Sequence, residues 1–185
     1  SRPVTMFAVA LASLAFQGPM ARPTGSSSVS MMAKSKAIPF LEAPKNLEGW
    51  AGDTGFDPLG FSAISMPWMR EAELKHGRVA MLATLGYLAV DLGMRFPGSE
   101  YSAVPSALAA HDFGVAKGDM YILLLAVVVM EVIGLMATMQ MMTGQSDRKP
   151  GEFAFDPLGF GKDPMKYAKY EVNEIKNGRL AMIAI

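Results

Sequence analysis

Between Met120 and Met142 the chain runs apolar for 23 residues, interrupted by a single charge at Glu131. At 1.5 Å per residue this stretch reaches about 35 Å, enough to cross a hydrocarbon core of about 30 Å. It predicts a transmembrane helix, with Asp119 ahead of it as N-cap and Gly144 behind. Two other segments change character along their length. Glu71 to Met94 opens with Glu71, Glu73, Lys75, His76 and Arg78, then turns apolar from Val79 to Val90. Glu171 to Ile185 opens with Glu171, Glu174, Lys176 and Arg179 and then runs apolar until it stops without a C-cap signal, so the helix is expected to continue past Ile185.

Upstream, Ala33 to Pro67 is rich in Gly, Pro and Asp with little periodicity, which predicts an extended, turn-rich surface segment. The apolar run Met6–Phe16 is too short to span a bilayer, and it is followed by a Ser-rich stretch to Met32 whose only charge is Arg22. Residues 1–32 are therefore expected to be a plastid-targeting remnant, and residues 33–185 the functional domain.

The two mixed segments are copies of one another. Glu73-Leu-Lys-His-Gly-Arg-Val-Ala-Met-Leu-Ala83 aligns with Glu174-Ile-Lys-Asn-Gly-Arg-Leu-Ala-Met-Ile-Ala184, and Gly55-Phe-Asp-Pro-Leu-Gly-Phe61 with Ala154-Phe-Asp-Pro-Leu-Gly-Phe160. One span lies between the copies, so both must cross in the same direction, as parallel repeats about a pseudo-two-fold axis along the membrane normal. The predicted fold is thus an all-α membrane protein of three transmembrane helices, the first and third forming a crossed pseudo-two-fold pair. Ala33–Arg70 and Thr143–Tyr170 hold four and five basic residues, against one Lys in Phe96–Gly118. The positive-inside rule puts the first two on the cytoplasm-like side, the stroma in a plastid.

Composition narrows the function. Lys plus Arg and Asp plus Glu both total 17, so no nucleic-acid footprint is expected. The absence of Cys excludes a disulfide scaffold, a thiol nucleophile and an iron–sulfur cluster. Sixteen Met suit irregular apolar packing around another molecule. No Ser-His-Asp set, phosphate loop or H-E-x-x-H occurs, so no enzyme is expected.

The repeated polar residues carry the chemistry. Arg78 and Arg179 each follow a Glu by five residues, a poor spacing for a local ion pair. Across a two-fold axis Glu73 meets Arg179 and Arg78 meets Glu174, which makes four charges tolerable at membrane depth. Gly77, Ala80 and Ala83, repeated as Gly178, Ala181 and Ala184, form a small-residue stripe for close crossing. His76 and Asn177 complete no ion pair, but like the carboxylates each offers a lone pair. Glu131 has no basic residue at i±3 or i±4 and lies mid-span, which marks it as a functional site: a proton relay, half of an unseen pair, or a metal ligand. Gln140 reads as interfacial, His111 as solvated, and Trp50, Trp68 and Tyr121 as interface anchors.

E-x-x-H-G-R-x-A-M and E-x-x-N-G-R-x-A-M on repeated helices, each preceded by F-D-P-L-G-F, resemble the chlorophyll-binding light-harvesting superfamily over Asn46–Ile185. The short loops and the brief connection after the first helix look most like the chlorophyll a/c type (fucoxanthin or peridinin antennae). The resemblance implies that Glu73, His76, Glu131, Glu174 and Asn177 ligate chlorophyll magnesium, with Arg78 and Arg179 keeping the Glu sites neutral. It implies carotenoids whose ends lie near Phe56, Asp57 and Pro58 and near Phe155, Asp156 and Pro157. The implied cofactors are chlorophyll a, chlorophyll c and carotenoids of the fucoxanthin, peridinin and diadinoxanthin types. The implied partners are a photosystem I or II core, other antenna subunits, thylakoid lipids and further copies in a homo- or hetero-oligomer. Land-plant members place Gln where Leu123 stands and Arg where Gly134 stands. Those departures imply a pigment lost or water-held on the middle helix, and a Glu131 without its counter-ion.

The function so implied is that of a light-harvesting antenna in the plastid thylakoid membrane. A photoprotective, energy-dissipating member of the same superfamily is the alternative. From a different class, a proton-coupled transporter would use Glu131 as its relay.

Overall fold

A computed structural model describes residues 34–185 of the chain; the expected targeting remnant at residues 1–32 lies outside the described residues. The described part is helical, and its only strand-like feature is a bridge between Lys34 and Glu42. The helices are α1 (Met66–Asp91), α2 (Ser99–Ser102), α3 (Ala107–Lys117), α4 (Asp119–Met142) and α5 (Pro164–Ala184).

Both charged segments form longer helices than their apolar pattern predicts. α1 starts at Met66, with Pro67 in its first turn, and α5 starts at Pro164 behind Asp163, whose side chain accepts the Met165 N–H. Proline early in a helix costs nothing, because its missing N–H would be unpaired there anyway. α1 ends where Gly93 turns left-handed (φ 94°), with Met94 N–H bonded back to Ala89 O at 2.9 Å. α4 ends the same way at Gly144, where Gln145 N–H reaches Gln140 O at 2.9 Å.

The connection between α1 and α4 is largely helical. It carries the eleven-residue α3, whose first turn is capped by Ser106 and by Asp91 Oδ1, which accepts the Ala107 N–H at 2.9 Å. Asp119 does not cap α4. Gly118 holds that position, and the Asp119 carboxylate accepts the Tyr101 hydroxyl at 2.7 Å instead.

The interior is small. Leu74, Ala80, Ile175 and Ala181 are its apolar members along the packed face of α1 and α5, with Val104 apart from them. Gly77 and Gly178 meet on that face. α4 touches α1 only sparsely and is almost wholly exposed, with Thr138 its sole buried residue. Its mean hydropathy and 24-residue length make it a candidate membrane span. An apolar helix exposed along its length needs lipid or another apolar partner to cover it.

Candidate functional site

The site is organised around the α1–α5 crossing. Arg78 Nε donates to Glu174 Oε1 at 2.7 Å, and Arg179 Nε donates to Glu73 Oε1 at 2.8 Å. Both reciprocal inter-helix pairs expected from the repeat are therefore present. Each guanidinium also reaches into a loop: Arg78 donates to Gly151 O at 2.8 Å and Arg179 to Gly52 O at 2.9 Å. Gly52 and Gly151 are separated by the same 99 residues as the two F-D-P-L-G-F loops, and both have positive φ (70° and 78°). Sequence reasoning missed them because the matched loop was started three residues too late.

The two pairs are not equivalent. Arg70, buried on α1, adds a second cation to Glu73 through a 2.8 Å bond to Oε2 and lies 5.5 Å from the centroid of the Trp50 ring. Both Glu73 oxygens are thus engaged, whereas Glu174 spends one oxygen on Arg78. Arg70 was legible from its i,i+3 spacing to Glu73. Buried Glu71 forms a further tie: it accepts the Gly151 N–H at 2.6 Å and pairs with Arg148 at 3.2 Å.

The loops use their acid in the same way twice. Asp57 accepts the N–H groups of Phe61 (3.0 Å) and Ser62 (2.9 Å); Asp156 accepts those of Phe160 (3.0 Å) and Gly161 (2.7 Å). Desolvation pushes the Asp57 carboxyl up, but hydrogen bonds from Ser62 and Phe61 outweigh it and hold it below 3.8. The Gly161 N–H, followed in size by the opposing desolvation and then by the Phe160 N–H, holds Asp156 below the same value. With the acid folded into its turn, Phe56, Leu59, Phe61, Phe155, Leu158 and Phe160 stay exposed. Pro58 and Pro157 are exposed beside them. Phe56, Asp57, Met66, Met69, Arg70 and Glu73 line one side of an open cleft of about 320 Å³.

His76 is exposed on α1, and its Nδ1 lies 2.7 Å from Ala72 O. A carbonyl only accepts, so Nδ1 carries the proton and Nε2 is left as a lone-pair donor. Asn177 is exposed at the same register of α5. Glu131 does not lack a counter-ion: Lys75 Nζ of α1 donates to its Oε2. Helical spacing within α4 could not reveal a partner 56 residues away on another helix. His111 also has a neighbour, with Nδ1 3.2 Å from Asp112 Oδ1 on the exposed face of α3.

These donors stand singly. Among the described residues no three of His, Cys, Asp and Glu gather as a bare metal site. Single oxygen or imidazole donors, with each carboxylate paired to a cation, suit a magnesium already held in a flat apolar macrocycle. The residues present therefore fit chlorophyll.

Comparison with known proteins agrees. The chain is 36% identical over 171 residues to chlorophyll a-b binding protein 1B-21, chloroplastic, of Hordeum vulgare, covering 87% of this chain and 67% of that protein. It is 35% identical to light-harvesting complex stress-related protein 1, chloroplastic, of Chlamydomonas reinhardtii (84% and 64% covered). It is 34% identical to fucoxanthin-chlorophyll a-c binding protein, chloroplastic, of Chattonella marina var. antiqua (83% and 73% covered). The chain spans about two thirds of the length of such relatives. The family profile described as chlorophyll A-B binding protein matches residues 43–185, and with that match over most of its length the chain belongs to the chlorophyll A-B binding protein family.

Proposed function

We propose that the chain is a light-harvesting antenna of the plastid thylakoid membrane. The observation that carries this reading is the set of singly placed donors on α1, α4 and α5, with each of the three carboxylates paired to a cation. In this reading α1, α4 and α5 all span the bilayer; at 26 and 21 residues, α1 and α5 reach about 39 and 31 Å. α1 and α5 cross about a pseudo-two-fold axis along the membrane normal, which the reciprocal Arg–Glu and Arg–Gly contacts support. Glu73, Glu174, His76, Asn177 and Glu131 hold chlorophyll magnesium, and the exposed aromatic residues of the two loops receive the carotenoid ends. The bound pigments absorb light and pass excitation on. The protein's part is to fix their spacing, supply their ligands and exclude water.

The pigment set is chlorophyll a, chlorophyll c and fucoxanthin-, peridinin- or diadinoxanthin-type carotenoids. The short F-D-P-L-G-F loops favour this a/c type, and a relative named for fucoxanthin and chlorophyll a-c stands at 34% identity. Excitation passes to a photosystem core through neighbouring antenna subunits. A dissipative role is the second reading, favoured by relatives named as stress-related at 35 and 36% identity.

Absorption and fluorescence-excitation spectra of the protein purified in mild detergent test the proposal. Chlorophyll a emission excited through chlorophyll c and carotenoid bands is the expected result, and a colourless folded protein would refute it. Emission that collapses on acidification to pH 5 would select the dissipative reading.

A further inference from the structure

The contact between Lys75 and Glu131 is the one ion pair that joins α1 to α4 among the described residues. The two side chains are 47% and 51% exposed, so protein does not enclose them. Around Glu131 the surface of α4 is apolar, with Val127, Val128, Val132 and Leu135 all exposed.

The bond uses one carboxylate oxygen only, Oε2, and leaves Oε1 without a hydrogen-bond partner among the described residues. Lys176 occupies the register of Lys75 in the second repeat and is also exposed, yet among the described residues it forms no ion pair. The shared Lys thus has a defined task in the first copy alone.

We infer that Lys75 is the positioning residue that makes Glu131 a pigment ligand: it ties Oε2 to α1 and leaves Oε1 free for magnesium. This inference rests on the proposed role of Glu131 as a magnesium donor. Lys75 touches no pigment in this scheme and acts through the placement of the Glu131 carboxylate.

The test is chlorophyll content and the red-region absorption difference spectrum of the purified pigment–protein complex, in four variants. Lys75→Gln should lose one chlorophyll per protein, and Glu131→Ala should lose the same absorption band. Lys75→Arg should keep it. Lys176→Gln should retain the full complement. Retention of the remaining pigments reports that each variant folds. Full pigment and an unchanged spectrum in Lys75→Gln, with the band lost in Glu131→Ala, would overturn the inference while leaving Glu131 a ligand. Full pigment in Glu131→Ala would instead overturn the ligand reading itself, and the inference with it.

Discussion

Gly77 and Gly178 meet backbone to backbone: a Cβ built on Gly77 would lie 3.1 Å from the Cα of Gly178, and one built on Gly178 would lie 3.0 Å from the Cα of Gly77. This closeness lets Arg78 and Arg179, the next residue on each helix, cross the seam and reach the opposite carboxylate. The obstacle is main chain, which cannot rotate away as a side chain can. Gly77→Val should therefore destabilise the protein by about 1–3 kcal/mol through overpacking. Thermal unfolding followed by far-ultraviolet circular dichroism checks this. Gly86→Ala on the same helix, where a Cβ meets nothing within 4 Å, is the control and should not lower the melting temperature.

The two ion pairs should respond unequally to loss of their arginine. Arg179→Gln leaves Glu73 with Arg70 at 2.8 Å, whereas Arg78→Gln leaves Glu174 with no cation among its described contacts. Arg78→Gln should cost about 2–3 kcal/mol and Arg179→Gln about 1 kcal/mol less. Equal losses in the two melting curves would show that Arg70 does not compensate. Removing Arg70 together with Arg179 should erase the difference.

Ala154 sits at φ 53°, where the first repeat has Gly55 at φ 72°. A left-handed conformation strains a residue with a Cβ by about 1 kcal/mol. Ala154→Gly should raise the melting temperature by roughly 2–4 °C, whereas Gly55→Ala should lower it. The reverse order in a thermal scan would refute the strain.

Acid should act on the loops through Asp57 and Asp156. Both carboxyls sit below their ordinary value of 3.8 in the folded chain. A depressed value means that the stabilisation is complete above the unfolded value of about 4 and is lost as pH falls through the folded one. Stability should therefore decline below pH 4. The Asp57→Asn, Asp156→Asn double variant should be less stable at pH 7 and show a weaker decline from pH 4.5 to 2.5. Melting temperatures across that range for the two proteins check it; parallel curves would remove these carboxylates from the account.

Much of the site was legible because it is written twice. The 101-residue offset between Glu73 and Glu174 led directly to the Arg78–Glu174 and Arg179–Glu73 pairs, and the small-residue stripe identified the face on which the helices meet. Repetition works as evidence of contact because two copies of a helix that cannot satisfy its charges locally can satisfy them in each other. The α4 span was legible for a simpler reason: a 23-residue apolar run has few other solutions.

Other features depended on tertiary structure. α3 was hidden because a weakly amphipathic stretch with His111 and Asp112 reads as a loop until its capping partner, Asp91 on α1, is beside it. Lys75 looked like one more charge of the motif, and its copy Lys176 indeed remains exposed and unpaired among the described residues. Only the approach of α4 to one of the two repeats distinguishes them. Local spacing along the chain determined the helices, their seam and the donor set. Which cation neutralises Glu131, and why Glu73 has two cations where Glu174 has one, depended on helix placement, since electrostatic pairing follows distance in space and not distance along the chain.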